Sequence, residues 1–216
     1  MLGTQRTAEE LGRAFAPAKV IMSWGEKILK EVPDGPAIVV ATPGAEPRAS
    51  GGYGAAVLLD TWALLGRPDM RATEEALAKW MGAAELVNKQ GDVVVVADPA
   101  LPVVQHLIRW DAPGYAAHEL EARREVRFPP AVHMAAVDSP RESLTDFLAH
   151  IDLPPHAEVL GPVDLADETY QQRVLIRAPL STRTALGKAL RAANVNRATR
   201  KQEVPLRITV NPMDIG

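Results

Sequence analysis

Residues 36–60, PAIVVATPGAEPRASGGYGAAVLLD, constrain the fold of this chain more than any other stretch. Ile38, Val39, Val40 and Ala41 form a short unbroken apolar run, the pattern of a strand buried on both faces of a parallel sheet. The segment TPGAEPRASGGYG that follows is dense in glycine and proline and must be loop. Ala55 to Leu59 is a second buried run, ending on Asp60. Loops at the carboxyl ends of parallel strands are where open α/β sheets place ligands. The same glycines and prolines also suit a chain that merely turns, and both readings stay open.

The flanks extend this pattern. Thr4 to Phe15 reads as a short amphipathic helix with Leu11, Ala14 and Phe15 on its apolar stripe. Lys19 to Ser23 reads as a strand, and Glu26 to Val32 as a helix stopped by Pro33-Asp34-Gly35. Arg71 to Val87 is helical: Ala76, Leu77, Trp80, Met81 and Ala84 recur at helical spacing, and Glu74 and Glu75 suit the first turn. Gly91 to Ala97 is another buried strand, with helices at Leu101–Trp110 and Tyr115–Arg124. Strands alternating with helices make this half α/β with a mostly parallel sheet.

Phe128-Pro129-Pro130 marks a boundary, because proline cannot continue a helix. The domains are read as 1–126 and 127–216. Beyond the prolines the order is strand 131–137, helix 140–150, strand 157–164, strand 171–178, helix 181–193 and strand 204–210. That is β-α-β-β-α-β, the ferredoxin-like α+β split.

Charge is distributed unevenly. The formal net charge is −3, yet residues 128–170 hold eight acids and one base, Arg141, while 171–207 hold nine bases and one acid, Glu203. Arg173 and Arg177 fall on one face of their strand, with Val174 and Ile176 on the other. On the next helix Arg183, Lys188 and Arg191 fall within roughly 140° of arc, opposite Ala185, Leu186, Ala189 and Leu190 as core. Arg197, Arg200 and Lys201 then lie on the loop toward the last strand. These eight residues are the candidate DNA- or partner-binding face. The competing reading pairs the arginines with the acids of 138–168, which requires the two blocks to face each other.

Other chemistry is sparse. The loop 44–54 has glycines but lacks the lysine of a P-loop, and its nearby cation is Arg48. The five histidines fall in no metal-ligand spacing, and there is no cysteine, so no disulfide, thiolate metal site or cysteine nucleophile. Trp80 reads as core; Trp62 and Trp110 are open to base stacking. The apolar runs are too short to span a membrane, and residues 1–15 lack the apolar core of a signal peptide.

Five stretches carry a family resemblance. GTQRTAEELGRAF at 3–15 resembles the GTER-x-x-E-x-L-x-x-x-F segment of the PriA family of primosomal replication-restart helicases, especially its actinobacterial members. ATPGAEP at 41–47 sits where that family carries motif V. RREVRFPPAVHMAAV at 123–137, VLGPV at 159–163 and the closing VNPMDIG follow in the family's order. The resemblance implies a RecA-like second helicase lobe followed by a small carboxyl-terminal domain. It also implies DNA (forked or single-stranded), single-stranded-DNA-binding protein and other primosome components as partners, and a cytoplasmic, nucleoid-associated location with no membrane contact.

The departures matter as much. Motif VI of active family helicases reads QxxGRxGR; the stretch here is KWMGAAEL, with Ala83 and Leu86 at the arginine positions. Loss of such an arginine costs about 10³-fold or more in phosphoryl transfer. Thr42, Gly44 and Gly82 are what remains of the nucleotide motifs. The first lobe with its Walker lysine, the amino-terminal DNA-binding domains and the zinc cysteines are all missing, so the chain is expected to be a fragment or a reduced form. No catalytic residue, metal or cofactor is expected here, with zinc expected in the intact family member. The implied function is a non-catalytic DNA-binding and assembly module. An ATP-dependent 3'-5' helicase fragment and a purely structural lobe of a larger complex are the competing readings.

Overall fold

The computed structural model describes residues 2–59, 61–167, 169–200 and 204–213. The chain divides into two compact units, residues 1–67 with 71–115 and residues 68–70 with 116–216. The division falls inside a helix, earlier than the double proline.

In the first unit, α1 (Leu2–Ala14) packs on β1 (Lys19–Ser23) and β2 (Ala37–Ala41), which pair in parallel with Ile21 opposite Val39. β3 (Tyr53–Leu58) and β4 (Val87–Val95) form a second parallel pair. Gly91 is required there: a Cβ on it would stand 2.5 Å from the Gly54 carbonyl oxygen. Helices α2 (Thr61–Leu65), α3 (Ala72–Ala84), α4 (Pro102–Ile108) and the start of α5 (Ala112–Val126) complete the unit. Leu58, Ala76, Leu77, Trp80, Val103, Val104, Leu107 and Tyr115 form its core. Trp80 is core as its spacing indicated, whereas Trp62 is 74% exposed.

Four expectations need correction. The strands are parallel, but they build two separate two-stranded sheets among the described residues rather than one mostly parallel sheet. Their apolar runs are also not buried on both faces. Leu58 and Val95 turn toward the α3–α4 core, while the register partners Val57 and Val94 on the other face stay exposed. The helix read at 26–32 does not form, because tertiary hydrogen bonds override a modest local preference. Trp24 and Lys27 close a tight turn, and Lys30 O and the Val32 amide pair with the backbone of Arg48. Ser23, fully buried, ties the two loops after β1 and β2 together: its hydroxyl accepts from the Leu29 amide at 3.0 Å and donates to Ala45 O at 2.6 Å. The helix read at 71–87 ends at Ala84, and Val87 already belongs to β4.

The second unit follows its reading more closely. β5 (His133–Ser139), α6 (Arg141–His150), β6 (Glu158–Asp164), β7 (Gln172–Ala178), α7 (Arg183–Thr199) and β8 (Arg207–Val210) run in the β-α-β-β-α-β order. The four strands form one fully antiparallel sheet, β6-β7-β5-β8. Such an order places the crossover helices α6 and α7 on one face. Leu144, Phe147, Leu186 and Leu190 from those helices pack on Ala135, Val137, Val174 and Ile176 of the sheet. The molecule is thus mixed α/β, with small parallel sheets in one unit and an antiparallel sheet in the other. No helix among the described residues is long and apolar enough to cross a membrane.

Candidate nucleic-acid and partner interface

The basic segment 171–207 is split by the fold into cations that are used internally and cations that are not. Antiparallel pairing puts Asp138 of β5 directly opposite Arg173 of β7 and Arg207 of β8. Arg173 Nε stands 2.8 Å from Asp138 Oδ1, and Arg207 Nη2 2.8 Å from Oδ2. Asp138 is 1% exposed. Burial opposes its ionisation most strongly of any single influence, yet the hydrogen bonds and charges of the two guanidiniums together outweigh it and hold its carboxyl below the usual range. Arg207 also stacks on Tyr170, its guanidinium carbon 4.5 Å from the ring centroid.

Arg177 is engaged in the same way. Its Nε donates to Glu158 Oε2 at 2.7 Å, and its Nη1 to Val126 O at 3.1 Å. Glu158 also takes Arg127, and the hydrogen bonds from Arg177 and then Arg127 lower its pKa. Arg173 and Arg177 do share a face, as their spacing requires, but there they are half-buried against acids: their side chains are 11% and 16% exposed. The acid block and the basic block face each other because β5 and β6 both pair with β7.

Helix α7 supplies the remaining cations. Of the expected core set Leu186 and Leu190 are buried and Ala189 is half-buried; the stripe then continues to Ala193 and Arg197, because the helix runs on to Thr199 and apolar positions recur at three- and four-residue steps. Ala185 is exposed. Arg197 therefore lies in the helix, not on a loop, and donates to Ser143 Oγ and Val204 O, each at 2.9 Å. Arg183, Lys188 and Arg191 are exposed on the outer arc and make no ion pair among the described residues. Arg200 is exposed at the helix C-cap, and Lys201 lies outside the described residues. The seven described candidates thus do not form one face; three of them form a basic arc on α7.

Beside that arc runs a groove of about 470 Å³, lined by Lys188, Ala189, Ala192 and Asn196 on α7 and by His150 and Leu153–Pro155 opposite. Nothing in the spacing of these residues pointed to it. Alanines on a surface helix leave room that longer side chains would fill.

In the first unit the loop after β2 is self-satisfied. Gly44, at φ +92°, donates its amide to both carboxylate oxygens of Glu46, each at 2.9 Å. Tyr53 Oη donates to Pro47 O at 2.7 Å. Gly82 is exposed on α3, Ala83 packs against the core, and Leu86 O accepts from the Tyr53 amide.

Residues 124–213 match the family model for the primosomal protein N C-terminal domain. The whole chain is 48% identical over 229 residues to the probable replication restart protein PriA of Mycobacterium leprae, covering 35% of that protein. It is 46% identical over 236 residues to the protein of the same name from Mycobacterium tuberculosis H37Rv, covering 36% of it. Against the replication restart protein PriA of Treponema pallidum, 132 residues align at 30% identity, 53% of this chain and 20% of the relative.

The chain belongs to the PriA family.

It spans about a third of the length of the mycobacterial relatives. All eight cations lie inside the segment that matches the C-terminal domain model, and that segment takes in the whole antiparallel sheet with α6 and α7. Thr42, Gly44 and Gly82 lie outside it, in the part matched by the mycobacterial PriA proteins. At the positions where the family resemblance calls for motif VI arginines, this PriA-family chain has one alanine packed on a core and one leucine at the foot of β4.

Proposed function

We propose that this chain serves replication restart as a DNA-binding and assembly module without catalysis of its own. In this reading the first unit is a reduced second helicase lobe of RecA type, and the second unit binds forked or single-stranded DNA and single-stranded-DNA-binding protein. The observation that carries it is the arc Arg183–Lys188–Arg191. These three cations are exposed and unpaired among the described residues, while Arg173, Arg177 and Arg197 are engaged inside the domain. Exposed arginines and lysines on one helix face gain affinity from phosphates by releasing counterions. They also pair with the carboxylates of an acidic peptide, and the alanine-floored groove beside Lys188 suits an apolar side chain on the same peptide. Two features support the non-catalytic half of the reading: the apolar residues at the motif VI arginine positions, and the Glu46 carboxylate that already occupies the Gly44 amide.

The test is the pair Arg183→Glu with Arg191→Glu, assayed on forked DNA and on an acidic peptide at low and moderate salt. Binding of both should fall steeply while circular dichroism stays unchanged. Unchanged binding with an intact fold would remove α7 as the contact face.

A further inference from the structure

The carboxyl ends of β1 and β2 border a pocket that the α7 reading does not use. Thr42 follows β2 directly, and its amide donates to Ser23 O at 3.1 Å, which clamps the two strand ends side by side. Met22 and Trp24 from the end of β1, Thr42, and Gln5 and Glu9 of α1 line a cavity of about 600 Å³. That volume falls in the range of small-molecule pockets and leaves room for one large side chain. Strand carboxyl ends are also where parallel sheets present their ligand sites.

The lining selects by charge. Glu9 and Glu26 border the cavity, and none of its lining residues is basic. Gln5 Nε2 donates to one oxygen of Glu9 at 3.2 Å, which leaves the second for a ligand. Two lining carboxylates disfavour phosphate even with Lys27 beside Trp24, so the cavity does not suit a nucleic-acid backbone. The aromatic wall is held in place: Trp24 and Lys27 exchange backbone hydrogen bonds of 3.2 and 2.6 Å across a tight turn. The indole also already carries a cation, with Lys27 Nζ 5.6 Å from the ring centroid. A flat, weakly hydrated cation with a forked set of donors matches an indole beside carboxylates better than a compact ammonium does.

The geometry points to this pocket as a receptor for an arginine side chain presented by a protein partner. The guanidinium stacks on Trp24, and its donors reach Glu9 and Glu26. The first unit then contributes a protein contact of its own, chemically opposite to the basic arc on α7 and independent of it.

The experiment is a titration of the full ¹⁵N-labelled chain with Nα-acetyl-arginine N-methylamide. The Trp24 indole N–H resonance is assigned by its loss in Trp24→Phe. A saturable shift of that resonance is expected, weakened about three- to tenfold in the double variant Glu9→Gln with Glu26→Gln, since each exposed charge pair contributes modestly. Both glutamates are exposed, so the variant keeps its fold. The glutamine analogue of the probe and an oligo-thymidylate should leave the resonance in place, and guanidinium chloride should bind more weakly than the arginine probe. An absent or unsaturable shift, an equal response to the glutamine analogue or the oligonucleotide, equal binding of free guanidinium, or unchanged affinity in the double variant would each overturn the proposal.

Discussion

Arg173 and Asp138 stand directly opposite each other on β7 and β5, Nε 2.8 Å from Oδ1, and the same carboxylate reaches across to Arg207 on β8. One buried charge thereby bridges three strands. Removing it leaves Arg173 charged and nearly enclosed, the situation in which breaking a buried pair is most damaging. Asp138→Ala should destabilise the second unit by about 3–5 kcal/mol in urea unfolding. Glu158→Gln removes a carboxylate at the protein surface and should have a far smaller effect. Equal effects from the two variants would mean that the bridge contributes no more than a surface pair.

The sign of the pH dependence follows from Asp138. Its folded pKa lies below its unfolded value, because the two guanidiniums overcome burial. The stability this provides is present above the unfolded pKa of about 4 and is lost as pH falls through the lower folded value. The urea midpoint should therefore decline as pH drops below about 4, and Asp138→Asn should flatten that decline. Stepped-pH unfolding measures both.

Salt dependence separates the two kinds of cation. Each of Arg183→Ala, Lys188→Ala and Arg191→Ala should reduce the slope of log affinity against log salt by about 0.7–0.9, one phosphate contact apiece. Arg173→Met should lower stability and leave that slope in place. A slope that changed with Arg173 and not with Arg191 would reverse the assignment.

ATP hydrolysis by the purified chain should stay at background with forked DNA present. In the proposed reading Ala83 and Leu86 stand where the family resemblance calls for phosphoryl-transfer arginines, and the amide of Gly44 is bonded to Glu46. DNA-stimulated turnover that survived purification and was lost on mutating residues 42–48 would contradict this.

Much of the second unit was legible in the sequence because period-two and period-3.6 patterns each had one buried side. Arg173 and Arg177 were placed on the correct side of β7 by spacing alone. Whether that side met solvent or acid was not legible, since it depends on β5 and β6 flanking β7, a long-range pairing that local pattern does not encode. The extent of α7 was missed for a related reason: Arg197 occupies a position on its buried stripe, and a charged residue there reads as the end of the apolar face. In the first unit, Val57 and Val94 read as doubly buried because an apolar residue looks the same whether or not its face is covered. The turn at Trp24–Lys27 was hidden by a run with acceptable helix formers, overruled by hydrogen bonds to Ser23 and Arg48. The basic arc on α7 was legible; the groove beside it was not, because alanines mark a space only once the opposite wall is known.

Ser23 has a kinetic consequence. Leu29 belongs to no helix or strand, yet its amide is bonded to a hydroxyl with no solvent exposure, and that hydroxyl also holds Ala45 O on the neighbouring loop. Neither loop can loosen fully without giving up the same oxygen. Hydrogen exchange at Leu29 should accordingly be slow for an irregular segment and should accelerate in Ser23→Ala, together with the Ala45 amide, as one opening event. The turn that carries Trp24 lies between Ser23 and Leu29, so a single buried oxygen anchors both ends of the segment from which that wall projects.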